Sequence, residues 1–216
     1  MNVHSHVRRP MNQPQRLQPQ VEPRALEILE GVRRAFAEKG FDGASMLDLA
    51  RACGMSVGNF YRYFPSKAAI VSALITRDLA EVEDQFSAII ESDDPMATLR
   101  MALRMRIEQD QCEGDGQLWA EITAAAMRKP EIEEITRHME SEIIGYLTTV
   151  FARARHISEL EARNRYQPHA SLLVMMIKGS AMHPGQDPES RTHLTELVIR
   201  TINRVLDEIV SDDLKG

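Results

Sequence analysis

The sequence predicts an all-α protein, a small three-helix N-terminal head with a helix-turn-helix followed by a larger helical body. Three observations predict it. From Arg24 onward apolar residues recur at spacings of three and four, with no sustained alternation of period two. Breaker clusters at Asp93-Asp94-Pro95, Gly114-Asp115-Gly116, Lys129-Pro130 and His183-Pro184-Gly185 divide that pattern into helix-length segments. The 216 residues are 43% hydrophobic and 27% charged, which suits one or two globular domains with a sizeable core.

Residues 1–21 are expected to form a disordered arm. Pro10, Pro14 and Pro19 interleave with Gln13, Gln15, Gln18 and Gln20, so little can be buried and helical hydrogen bonding is repeatedly blocked. The arm is either a passive tail or one whose Arg8, Arg9 and Arg16 reach into a DNA minor groove. The first helix places Ala25, Ile28, Leu29, Val32 and Phe36 on one face and stops at Glu38-Lys39-Gly40. After a turn at Phe41-Asp42-Gly43-Ala44, Ser45-Met46-Leu47-Asp48 matches a capping box that opens a second helix. Further helices are predicted over roughly 66–91, 95–111, 116–128, 131–155, 159–182 and 190–210.

Composition excludes several classes. No apolar run reaches transmembrane length, and the first 20 residues lack the apolar stretch of a secretory signal, so a cytoplasmic protein without membrane contact is expected. Cys53 and Cys112 stand far apart, and the seven histidines lack the spacing of a ligand set, so no metal and no cofactor are expected. No GxSxG, P-loop or HExxH occurs, which argues against an enzyme. The net charge of -6 hides an asymmetry. Residues 1–80 hold 11 Lys/Arg against 7 Asp/Glu, and residues 81–216 hold 15 against 25. A basic head on an acidic body fits a head that faces a polyanion.

Met46 to Phe64, MLDLARACGMSVGNFYRYF, has the layout of a helix-turn-helix. Leu49, Cys53, Met55, Phe60 and Tyr63 are spaced to fill the core between two steeply crossed helices, and Ala50 sits where they pass closest. Gly54 occupies a position that needs positive φ, and Ser56 can cap the helix that follows. These residues carry a resemblance. With Ala35-Phe36, Gly40-Phe41, Asp48-Leu49-Ala50, Cys53 to Gly58, Phe60 to Phe64 and Ser66 to Ile70, the stretch from Arg24 to about Ile75 resembles the TetR family of transcriptional regulators. The resemblance implies a DNA-binding domain over 22–80 and an effector-binding and dimerisation domain over 81–216.

Side-chain chemistry assigns roles on the second helix of the motif. Asn59 can pair bidentately with adenine and Arg62 with guanine or a phosphate, while Val57 and Gly58 allow close approach to bases. Ser45, Ser56, Tyr61 and Tyr63 carry hydroxyls suited to phosphate oxygens. Lys67 lies in the first turn after the Ser66 cap, where a phosphate would satisfy both the ammonium and the helix N-terminus.

In the body, eight of the twelve methionines fall between 96 and 182. Met is adaptable, so such a core tolerates exchangeable contents. The resemblance implies a pocket for a small, largely apolar effector near the single Trp, with Met101, Met105, Trp119, Ile122, Met139, Ile143, Tyr146 and Met175 as candidates. The terminal stripe Leu194, Leu197, Val198, Thr201, Ile202, Val205, Leu206 and Ile209, with small Gly179, Ser180 and Ala181, is expected to be covered by a second copy of the chain. The expected function is a dimeric repressor on a pseudo-palindromic double-stranded DNA operator, released by its effector. The alternative is a DNA-binding regulator controlled by a protein partner, or an activator, without a small ligand.

Overall fold

A computed structural model describes residues 23–113, 115–183 and 187–211. The arm expected over 1–21, with Arg8, Arg9 and Arg16, lies outside the described residues. Among them are nine helices and no strand: α1 (Pro23–Lys39), α2 (Met46–Ala52), α3 (Val57–Tyr63), α4 (Lys67–Glu91), α5 (Pro95–Glu113), α6 (Asp115–Ala126), α7 (Pro130–Arg155), α8 (Glu159–Met182) and α9 (Pro188–Ser211). None is long and apolar enough to cross a membrane.

Local chemistry sets the boundaries of the short helices. Ser45 and Asp48 form the full capping box at α2, with the Ser45 N–H donating to Asp48 at 2.9 Å and the Asp48 N–H donating to the Ser45 hydroxyl at 3.1 Å. At the other end Gly54 has φ +63°, the Gly54 N–H donates to the Arg51 carbonyl, and the Met55 N–H donates to the Ala50 carbonyl. That pair of bonds is a Schellman stop, which only a residue at ease in the left-handed region makes cheaply. Ser56 and Ser66 cap α3 and α4 through the Asn59 and Ala69 amides. Pro168 lies inside α8 without ending it. Pro168 and Asn164 are both exposed, so water can satisfy the carbonyl that the proline leaves unpaired.

Two apolar cores form. The first joins Ile28, Leu29, Val32, Phe36, Leu49, Ala50, Phe60, Phe64, Ile70 and Leu74 of the head to Leu118, Ile122 and Ala125 of α6 and Ile132 and Met139 of α7. The second packs Phe86, Leu99, Leu103, Ile107, Leu147, Phe151, Tyr166, Leu173, Ile202, Leu206 and Ile209. Ile143 touches both.

Three expectations are corrected here. Tyr63 is 37% exposed and outside the head core, because Phe64 takes the inward position one turn after Phe60. Val57 instead packs partly against that core, sharing the inward face with Phe60. Half of the α9 stripe is buried within its own chain: Ile202, Val205, Leu206 and Ile209 are each under 9% exposed. Helix α5 covers this side of α9, where Arg100 reaches the Asn203 carbonyl at 3.0 Å and Asp207 at 2.6 Å.

A Cβ at Gly54 would meet nothing within 4 Å, so Gly54→Ala tests backbone conformation alone. Urea denaturation is expected to show a loss of about 1 kcal/mol with unchanged helix content. A neutral substitution would mean that the turn relaxes away from positive φ.

Candidate nucleic-acid interface

Seven residues make too short a helix to persist alone, so α3 depends on its Ser56 cap and on Phe60, which is fully buried. With Phe60 and Phe64 turned inward, 5.8 Å apart between ring centroids, and Val57 packed beside them, the remaining positions face outward. Gly58, Asn59, Arg62 and the rings of Tyr61 and Tyr63 are exposed. A Cβ at Gly58 would meet nothing within 4 Å, so a partner can come close to the backbone there. This face offers amide, guanidinium and phenol groups side by side, the set suited to base edges and phosphate oxygens.

The serines differ in what they have left to offer. Ser45 donates its hydroxyl hydrogen to Asp48 and accepts the Asp48 amide, so both functions serve the cap. Ser56 accepts from Asn59 at 3.3 Å, which leaves its proton available to a phosphate.

Lys67 does not project from the α4 N-terminus. Its ammonium turns back and donates to the Phe41 carbonyl at 2.6 Å and the Asp42 carbonyl at 3.1 Å, lying 5.3 Å from the Phe41 ring centre. Burial pushes the Lys67 pKa below its ordinary value, and the nearby Asp42 charge opposes that shift. An ammonium has three donors, so one remains for a phosphate. Asp42, on the same turn, is held below the usual carboxylate range by hydrogen bonds from Arg128 at 2.8 Å and from Lys129.

Residues 28–74, from α1 into α4, match the family described as bacterial regulatory proteins, tetR family. That span contains both helices of the motif and the turn between them. Over that segment the chain is similar to the TetR family of bacterial regulatory proteins. It is 27% identical over 147 residues to the HTH-type transcriptional regulator UidR of Escherichia coli strain K12, covering 67% of this chain and 72% of that protein. The structure of Salmonella enterica GusR superposes with a TM-score of 0.70 at 25% identity, over 88% of this chain and 98% of GusR. AibR, solved in complex with isovaleryl coenzyme A and operator DNA, shares the fold with a TM-score of 0.62 at 18% identity, over 83% and 97% of the two chains.

The eight effector candidates divide. Trp119, Ile122, Met139 and Ile143 come together in the head-side core, and Ile143 bridges to Tyr146, which stacks on Phe86 at 5.6 Å. Met101, Met105 and Met175 do not join them. They are 60%, 51% and 67% exposed, because α5 and α8 turn their Leu99, Leu103 and Leu173 faces inward and leave these methionines on the opposite side. Composition alone does not show which side of each helix these methionines occupy. An open hollow of ≈ 390 Å³ lies along α8 at Ser158, Leu160, Glu161, Asn164 and Arg165 and involves none of the eight. Among the described residues no cluster of His, Cys, Asp and Glu could hold a metal ion. Sequence reasoning missed Glu121, Arg128 and Asp42, whose contacts cross about 80 residues of chain and leave no periodic signal.

Asp48 accepts from Lys39 at 2.6 Å as well as from Ser45, and these bonds, Lys39 foremost, hold its carboxyl far below the usual carboxylate range. A depressed native pKa gives stability that is present above the ordinary value and is lost as the pH falls toward the native one. Wild-type stability is therefore expected to fall from about pH 4 downward. Asp48→Asn should be less stable at neutral pH and flatter in that acid range, as read by denaturation at stepped pH.

Proposed function

We propose that this regulator is a homodimeric repressor that inserts α3 of each subunit into successive major grooves of a pseudo-palindromic operator and is released by a small, largely apolar effector. One observation carries the reading. α3 buries Phe60 and, with the residue that follows it, Phe64, and turns Gly58, Asn59, Tyr61, Arg62 and Tyr63 outward, as a helix that enters a groove must. On this reading Asn59 and Arg62 read bases, Gly58 and the backbone at Val57 permit the approach, and Ser56, Tyr61, Tyr63 and Lys67 hold phosphates. Ser45 acts through the α2 cap.

Leu172, Met175 and Leu197, 41%, 67% and 51% exposed, are the apolar side chains of α8 and α9 that we assign to the contact with a second copy. Gly179 has open space around it, which suits close helix approach. Trp119, Ile122, Met139, Ile143 and Tyr146, at the junction of the two cores, are the residues proposed to receive the effector. The AibR complex supports the reading that one chain of this fold can take both a ligand and operator DNA. To release DNA the effector must favour the non-binding state by about 1–3 kcal/mol, and DNA must weaken effector binding by the same factor.

The experiment is titration of the purified protein against DNA flanking its own coding region and against random DNA, over a series of salt concentrations. Specific binding of two protomers to an inverted repeat is expected, and equal weak binding to both DNAs would count against the reading. Arg62→Ala should lose operator affinity selectively. Lys67→Ala should weaken both DNAs by the same factor and lower the salt slope by about one. A loss confined to the operator would instead assign Lys67 to the Phe41–Asp42 turn alone. Leu197→Glu is expected to give monomers by light scattering and to abolish two-protomer binding; a stable dimer would move the interface elsewhere.

A further inference from the structure

We propose that α6 is a strut fixing the bearing of the head on the body, with Glu121 and Arg128 as positioning residues for operator binding. The proposal rests on the reading that α3 binds DNA, and it names a tether separate from α4, the helix through which the chain runs from head to body.

Both ends of α6 are gripped. At its start, a Cβ on Gly116 would lie 2.0 Å from the Ala181 carbonyl oxygen of α8, so only glycine allows this approach without a backbone shift. From its middle to just beyond its end, three contacts hold the turn between α1 and α2. The Glu121 carboxylate accepts the Phe41 N–H at 2.9 Å, and Glu121 lies so close to Gly40 that a Cβ there would come within 2.9 Å of its oxygen. Gly40 has φ +73°, so the turn takes a shape that fits around this carboxylate. Arg128 and Lys129, just beyond α6, then bracket the Asp42 carboxylate at 2.8 and 3.2 Å.

Between these ends Leu118, Ile122 and Ala125 are buried in the head core. The head therefore cannot tilt without moving α6, and α6 cannot slide without disturbing Ala181 on α8, the helix whose exposed Leu172 and Met175 are proposed to face the second subunit. The two polar grips are unlike each other. Phe41 is 2% exposed, so its N–H would be left unmet without Glu121. The Asp42 pairs are half exposed and therefore weakened by salt.

A fixed bearing lowers the ordering cost of placing two heads on an operator of set spacing, whereas random DNA makes no such demand. Glu121→Ala is expected to lower the ratio of operator to random-DNA affinity about tenfold. Glu121→Gln keeps an acceptor and should stay within about twofold of wild type. Arg128→Ala should lower the ratio at low salt and lose its effect near 0.5 M, about the range in which surface pairs are screened. A ratio unchanged in both Glu121→Ala and Arg128→Ala would overturn the proposal.

A second arm needs no DNA. Amide exchange across residues 40–44 is expected to speed up about fivefold in Arg128→Ala while the Met55 amide of the α2–α3 turn keeps its rate. Equal rates in both segments, or faster exchange everywhere, would also overturn the strut. If the wild-type protein prefers no operator, the DNA-binding reading of α3 fails, and the exchange arm alone decides the strut.

Discussion

The apolar core shared between the head and α6 is the constraint on which the rest depends. Phe36, Leu49 and Phe60 are fully buried, and they share their core with Leu118, Ile122, Ala125 and Ile132 from segments more than fifty residues further along the chain. Burying a large aliphatic or aromatic side chain contributes about 1.5–3 kcal/mol, so several of them outweigh any exposed ion pair at the same boundary. The apolar contacts decide that α6 stays with the head. The polar contacts at Phe41 and Asp42 decide at what angle.

Within that frame the motif is built from devices that each span only a few residues. The capping box at Ser45, the Schellman stop at Gly54 and the caps at Ser56 and Ser66 set where every short helix begins and ends. Between α2 and α3 the chain has no freedom to slip in register, because Gly54 and Met55 return their amides to Arg51 and Ala50. The outward residues of α3 are thus fixed by what its inward residues bury. The outward face of this helix is the remainder left by packing, and that remainder is polar, aromatic and basic.

This division explains what could be read in the sequence. Helix boundaries, the positive φ at Gly54 and the inward pair Phe60 and Phe64 follow from contacts within four or five residues, and they are legible. With four aromatics in five residues the sequence allows two inward sets, and only the neighbouring helices choose Phe64 over Tyr63. Nothing in the spacing of the α9 stripe shows that α5 already lies against it. Met101, Met105 and Met175 were grouped by composition, whereas the side they face is set by Leu99, Leu103 and Leu173. Glu121 and Asp42 carry no local signature at all, since their partners come from another part of the chain.

The reach of the head core also bears on synthesis. Ile28 and Met139 belong to one core, so the head is closed only after α6 and the first half of α7 have left the ribosome. At about 5–20 residues per second that delay lasts several seconds, during which the earlier helices must wait with part of their apolar surface uncovered. A chain that stalls before α6 lacks the residues that complete its own head. The order of the helices thus ties completion of the head to synthesis of part of the body that follows it.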